Sequence, residues 1–335
     1  MEVPLVSILI PFKNTAPYLV ECLDSIRAQE YKNWEVLAVD DSSTDNSWEI
    51  VAKYAKTDPR FKLIKNSGKG IIEALRTAYH RCNGELITRM DSDDIMSMDK
   101  IGTMVNLLVN TGQGHVAIGQ VRYFSDQGIS NGYARYEAWL NKLTARGTNY
   151  AEIYKECAIP SPCWMVFKED LKKCGAFEPD RYPEDYDLTF RFYENGLKCI
   201  PCNKVLHHWR DYDSRTSRTS EHYAANYFLD IKLLYFLKLE YDPGRPLVIW
   251  GAGTKGKTIA KSLIGRKLDF NWICDNPYKI GKNIYGKRLS HFRVLNDIKN
   301  PQNIITVANE EEQNSIRSFF ATINKHPMKD YFFFC

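Results

Sequence analysis

Val6-Ser7-Ile8-Leu9-Ile10-Pro11 is apolar except for one serine and closes on a proline, and it reads as a buried strand. Outward from it the pattern alternates. Pro17 to Gln29 reads as an amphipathic helix, Trp34 to Val39 as a second strand, and Asn46 to Lys56 as a helix opened by Ser and Asp caps. Phe61 to Ile64 is a third strand, Gly70 to Cys82 a third helix, and Glu85 to Met90 a fourth strand. Strands alternating with helices at this pitch imply βαβ units and a mostly parallel sheet, an α/β fold.

After a helix from Asp99 to Thr111 the alternation gives way to shorter strands, aromatic loops and a variable stretch from Gly119 to Glu156. Patterning returns from Trp164 to Asn195. Tyr223 to Leu239 reads as a helix with apolar residues on most faces, which suits packing on both sides rather than a membrane surface. Asp242-Pro243-Gly244-Arg245-Pro246 has the composition of a linker. A new βαβ unit begins beyond it, with strand Leu247 to Trp250, then Gly251-Ala252-Gly253-Thr254-Lys255-Gly256, then a helix to Ile264. The expected organisation is a first domain over 1–219, a bridging helix and linker over 220–243, and a small Rossmann-like α/β domain over 244–335.

The chain has 335 residues, 44% hydrophobic and 26% charged, with a net charge of +4. That balance alone does not support nucleic-acid binding. No apolar run is long enough for a transmembrane segment, and Met1-Glu2-Val3-Pro4 lacks the basic start of a secretory signal. Nine Cys scattered from Cys22 to Cys335 suit a reducing compartment. The expectation is a cytoplasmic protein. Cys199-Ile200-Pro201-Cys202 has the spacing of a zinc knuckle but no second pair to complete one, so free thiols are expected.

Carboxylates gather where the strands end. Asp91-Ser92-Asp93-Asp94 follows the fourth strand and Asp40-Asp41 closes the second. In parallel sheets ligands bind at the carboxyl ends of strands, and oxygen-only ligands suit a hard cation, Mg²⁺ or Mn²⁺. Asp45 or Ser43 is expected to cap the following helix. The loop Lys65-Asn66-Ser67-Gly68-Lys69-Gly70 precedes a helix N-terminus, a natural anion site to which Lys69 adds charge. Glu184 and Asp185 stand before an amphipathic helix, and an Asp there can serve as a general base.

These elements, in this order, resemble the family-2 glycosyltransferases, inverting enzymes of the GT-A fold that use nucleotide-sugar donors. The likeness runs from about residue 4 to 218 and rests on Val6 to Pro11, Val39 to Asp45, Gly84 to Ile87, Asp91 to Asp94, Gly175-Ala176-Phe177 and Glu184 to Leu188. Trp209-Arg210 followed by Ser214-Arg215-Thr216-Ser217-Arg218-Thr219, with a Rossmann-like tail, looks like a subgroup that includes the animal queuosine-tRNA galactosyltransferase. The resemblance implies that Pro11 and Asp41 frame the nucleobase and that Asp91 lies near the ribose. Asp40, Ser92 and Lys69 are expected among the donor-binding residues, and Arg210 and Arg215 are expected there because paired Arg suit the donor diphosphate. Asp93 is implied as metal ligand, with Asp94 assisting, and Asp185 as the base beside Glu184. Trp164 and Arg191 are implied to brace the acceptor. Many relatives carry a metal-binding His where this chain has Tyr212, which leaves three options: fewer protein ligands, His207 or His208 as substitute, or weaker metal dependence.

The implied reaction moves a sugar, with inversion, from a nucleotide-sugar donor, UDP-sugar or dTDP-sugar, to a hydroxyl of a bacterial surface glycan or lipid-linked acceptor. An RNA acceptor is the alternative, with Arg210, Arg215, Arg218, Lys255, Lys257 and Lys261 as a basic face. A second class is an NAD-dependent oxidoreductase, because Gly251, Gly253 and Gly256 follow a strand and Asp275 lies about twenty residues on. Only about ninety residues follow residue 244, too few for a dinucleotide domain plus a substrate domain. A homo-oligomer is neither required nor excluded.

Overall fold

A computed structural model of the chain describes residues 3–213, 215 and 228–335. It divides into two compact units, Met1–Asn149 with Ala158–Ala224, and Tyr150–Cys157 with Ala225–Cys335. The segment expected to bridge two domains is described from Phe228 onward, and that described part counts with the second unit.

The first unit is built from β1 (Val6–Phe12), α1 (Ala16–Arg27), β2 (Trp34–Asp40), α2 (Ser47–Thr57), β3 (Phe61–Lys65), α3 (Ile71–His80), β4 (Leu86–Arg89) and β5 (Ile95–Met96). It continues with α4 (Lys100–Thr111), β6 (His115–Ile118), β7 (Gln120–Phe124), α5 (Asn131–Arg146), β8 (Trp164–Phe167), α6 (Lys168–Lys173), α7 (Glu184–Glu194), β9 (Lys198–Ile200) and β10 (Val205–Arg210). The main sheet runs β3-β2-β1-β4-β8-β6-β9, with β10 between β5 and β7 in a smaller sheet. β1 pairs in parallel with both β2 and β4, so Phe12 faces Asp40 and Leu9 faces Arg89 across the ladders. The carboxylates after β2 and β4 therefore share one edge. Every residue of β1 and β2 is buried, which is why both strands read as continuous apolar runs.

Pro11 costs the sheet nothing. Leu9 is the last residue of β1 to pair with β4, and its carbonyl accepts from Met90 N–H, so two residues later there is no bond on that side to lose. Gly84 is fixed by crowding, since a Cβ there would lie 2.6 Å from Ser7 N and 2.8 Å from the Leu5 carbonyl. The stretch expected to hold loops after residue 119 carries a sixteen-residue helix, α5, capped by Ser130 and ended by Gly147 at φ +65. Tyr133, Tyr136, Trp139, Leu140 and Leu143 recur at helical spacing, but the aromatic content and Gly132 mask the period.

The second unit contains α8 (Leu229–Leu239), β11 (Leu247–Trp250), α9 (Thr254–Gly265), β12 (Asn271–Cys274), β13 (Asn283–Ile284), β14 (Lys287–His291), β15 (Gln302–Ile305), α10 (Glu310–Thr322) and β16 (Tyr331–Phe333). Its strand order is β13-β14-β12-β11-β15-β16, parallel except for the β13–β14 hairpin. That is the Rossmann-like winding expected. The short stretch Tyr150–Cys157 belongs to this unit as well. Tyr154 is buried and stacks on Phe334 at 5.5 Å, with Phe236 and Phe332 edge-on. The buried Lys232 ammonium donates to the Lys155 carbonyl at 2.8 Å.

Candidate active site

Arg89 organises the edge of the first unit's sheet. It is the last residue of β4, almost wholly buried, and a buried guanidinium requires carboxylate partners. Its Nε donates to Asp91 Oδ1 at 2.9 Å, and its Nη1 to Glu184 Oε1 at 2.9 Å. One side chain thus joins the acidic stretch after β4 to the first turn of α7. Glu184 and Asp185, expected ahead of the helix, lie inside its first turn. Glu184 is buried, and its Oε2 has no hydrogen-bond partner among the described residues. Asp185 Oδ1 accepts from the Tyr186 N–H at 2.7 Å. Burial, then the Glu184 charge, push the Asp185 carboxyl well above the usual carboxylate range, with Arg89 opposing.

Asp94 is spent on the fold. It is fully buried, its Oδ1 accepts from the Arg210 backbone N–H at 2.8 Å, and its Oδ2 meets His207 Nε2 at 2.9 Å. The other ring nitrogen of His207 lies 3.1 Å from the Lys100 ammonium, which can only donate. His207 Nδ1 is then the acceptor and Nε2–H the donor to Asp94. Burial, then Lys100, hold the imidazole well below its ordinary pKa, which keeps it neutral. His208, expected near the cation, points the other way from β10 and sits edge-on to Phe124. It is His207 that reaches the acidic cluster.

Asp93 sits differently. Tyr212 O–H donates to its Oδ2 at 2.9 Å, and Arg210 Nε donates to its backbone carbonyl at 2.8 Å. Burial and the charge of Asp94 push its carboxyl up to about 7, while Arg215 pulls it down and Asp91 adds to the rise. Ser92 is buried between these acids. Arg210 also pairs with Glu21 and lies 4.5 Å from the Phe124 ring. The Arg215 guanidinium lies 5.3 Å from the Trp209 ring. Arg218 lies outside the described residues.

At the end of β2 the two acids divide their work. Asp41 Oδ1 accepts from Gly70 N–H at 2.9 Å and from Asn66 Nδ2 at 2.8 Å, and Lys13 approaches Oδ2 at 3.3 Å. Asp41 therefore ties down the loop that carries the exposed Lys69. Asp40 accepts from the Ser43 N–H and lines an open groove of about 360 Å³ with Ser43, Thr44, Trp48 and Lys65. Asp45 caps twice, accepting from Ser47 N–H and from Ala16 N–H at the starts of α2 and α1.

Two residues set on the acceptor side by resemblance are buried among contacts within the first unit. Arg191 is buried, with Nε on Asp187 Oδ2 at 2.8 Å and Nη1 on the carbonyls of Cys174 and Ala176. It holds the Gly175-Ala176-Phe177 turn, where Ala176 has φ +40. Trp164 is 2% exposed in the middle of the main sheet, its ring edge-on to Phe192. In the second unit, Gly251 has φ +119, and a Cβ on Gly256 would lie 2.1 Å from the Gly251 carbonyl. Both glycines are thus explained by strand–helix packing. The Gly251 carbonyl accepts from the Trp272 indole, and that of Ala252 from Lys279. Gly253 and Asp275 are exposed.

Among the described residues, no three His, Cys, Asp or Glu side chains converge to hold a metal ion. The donor set nonetheless fits a hard cation that shares its ligands with a substrate. Asp93 offers a buried carboxylate burdened by like charge, and a diphosphate would complete the shell.

The glycosyl transferase family 2 profile matches residues 7–175. Two glycosyltransferases of Streptococcus pneumoniae are similar. GlyA is 28% identical over 61% of this chain, which spans 30% of GlyA, and GlyG is 30% identical over 64%, spanning 73% of GlyG. Two solved structures share the fold. Staphylococcus aureus TarS 1–349 with UDP-GlcNAc gives a TM-score of 0.55 at 20% identity, covering 71% of this chain and 68% of that one. The Pyrobaculum calidifontis mannosyltransferase PcManGT with GDP-Man and Mn²⁺ gives 0.52 at 21% identity, covering 70% and 64%.

Proposed function

The chain belongs to glycosyl transferase family 2 and is a glycosyltransferase of GT-A fold, and from that premise we propose an inverting transfer from a UDP-sugar to an acceptor hydroxyl of a bacterial surface glycan or lipid-linked oligosaccharide. One observation carries the proposal. Arg89 bonds Asp91 and Glu184 at once, which sets the Asp91–Asp94 stretch and Asp185 within electrostatic reach. The relatives support glycosyl transfer, and the neighbours that bind UDP-GlcNAc and GDP-Man support a nucleotide-sugar donor.

In this reading Asp185 accepts the proton of the acceptor hydroxyl as its oxygen attacks the anomeric carbon. Arg89, fixed between carboxylates, holds Glu184 and so the first turn of α7 in place. Asp93, on the Asp91 side of that bridge, would hold the cation with its one oxygen not bonded to Tyr212. Bound Mg²⁺ or Mn²⁺ would neutralise charge on the departing diphosphate. Arg210 and Arg215 add positive charge on the same side. Single displacement at the anomeric carbon inverts its configuration.

The tRNA-nucleoside alternative leans on residues 214–219, most of which lie outside the described residues. The oxidoreductase alternative leans on Gly251, Gly253 and Gly256, and packing already accounts for the first and the last. A screen of UDP-, dTDP- and GDP-sugars by thermal shift and hydrolysis, with the product anomer read by NMR, tests the proposal. Stabilisation by NADH alone, or a retained anomer, would defeat it.

A further inference from the structure

Charge is unevenly placed along this chain. Residues 244–293 hold eleven Lys and Arg against two Asp, in a protein whose whole balance is +4. One of the two acids, Asp269, is already paired with Lys287. The excess lies on α9 and the β13–β14 hairpin of the second unit. α9 buries Gly256, Ile259, Ala260 and Leu263. Its exposed face therefore carries Lys257, Lys261 and Ile264 at helical spacing, one above another. Ile264 is 37% exposed, and beside the stripe Tyr285 is 45% exposed, with the Lys261 ammonium 5.0 Å from its ring. Lys267, Lys282 and Arg288 are exposed on the same stretch of chain.

We propose that this face docks the protein on an anionic phospholipid surface. Lysines supply attraction to lipid headgroups, while Ile264 and Tyr285 supply a shallow apolar contact at the interface. RNA would also meet the charge, but the aromatic component argues against it. The Tyr285 ring is stacked on Trp272 and has Lys261 against it, so it is no open platform for a base. An aliphatic side chain amid the lysines has no role on a phosphate backbone. The preference for lipid draws in part on the proposed lipid-linked acceptor, yet the assay below reads binding alone and can fail while sugar transfer stands.

The test is co-sedimentation of the full chain with vesicles of phosphatidylcholine, and of phosphatidylcholine with phosphatidylglycerol, at low and raised salt. Binding is expected only to the vesicles containing phosphatidylglycerol, weakening as salt rises. The double variant Lys257→Gln, Lys261→Gln should lose about thirtyfold in partitioning. Its thermal melting and UDP-induced shift should match wild type. Ile264→Ser should weaken vesicle binding without steepening the salt dependence. Equal binding to both vesicle types, no change in the double variant, or binding of bulk tRNA without vesicle binding would each overturn the proposal.

Discussion

Arg89 and Glu184 lie 95 positions apart in the chain and meet in a buried ion pair of 2.9 Å. That pair joins a strand end to a helix start, and its loss leaves two acids without their shared counter-charge. Arg89→Ala should destabilise the protein by about 3–5 kcal/mol, the cost of stranding a buried partner. Arg89→Lys keeps the charge but cannot fork between Asp91 and Glu184. It should lower kcat more than it raises the KM for donor. Urea unfolding and steady-state kinetics check both, and a wild-type rate in Arg89→Lys would remove the bridge from any role in transfer.

Asp185→Asn should lower transfer by about 10²- to 10⁴-fold, the usual worth of a general base. Donor affinity by calorimetry should stay within about twofold, because the first turn of α7 keeps its packing.

The acid limb of the rate should follow the raised Asp185 carboxyl. A base must be deprotonated to work, so a pKa above the ordinary range means that activity fades as pH falls from neutral, well before an exposed Asp would titrate. Glu184→Gln removes one of the charges that raises it, and the limb should move to lower pH. A kcat/KM profile for each protein decides this; an unmoved limb would assign the titration elsewhere.

Glu35 gives a stability prediction away from the site. Burial would raise its pKa, but hydrogen bonds from Lys62, Ser7 and Asn83 overcome this and hold it near 2 instead of 4.5. The stabilisation is therefore present above pH 4.5 and is lost as pH falls toward 2. Glu35→Gln should cost about 1–3 kcal/mol at neutral pH and flatten the acid slope, read by urea unfolding at several pH values.

Tyr212 occupies one oxygen of Asp93. Tyr212→Phe should release it and tighten Mn²⁺ binding in the presence of UDP by about two- to tenfold, the worth of one hydrogen bond. Asp93→Ala should abolish that binding in calorimetry. Equal Mn²⁺ affinity in both variants would take the cation away from Asp93.

The parallel half of the main sheet was legible because β1 and β2 are buried on both faces and leave uninterrupted apolar runs. Asp40, Asp41 and Asp91 to Asp94 could be set at strand ends from spacing alone. Which acid does what could not. Asp94 and Asp93 look alike in sequence, and they are distinguished by the approach of His207 and the Arg210 N–H to the one and of Tyr212 to the other. Arg191 reads as a polar residue on an amphipathic helix until the carbonyls of Cys174 and Ala176 close around it. Arg89 was missed, although a lone arginine at the end of an apolar strand was itself a sign that carboxylates must wait nearby. α5 escaped because aromatic side chains are weak helix formers that tertiary packing overrides.

Tyr154 has a consequence for anyone wishing to cut or recombine this gene. It is encoded between two strands of the catalytic sheet, yet its ring is housed by Phe236, Phe332 and Phe334. A truncated product ending near residue 219, or a chimera with a foreign tail, would leave that tyrosine without a host. The chain is two bodies in space but not two interchangeable cassettes.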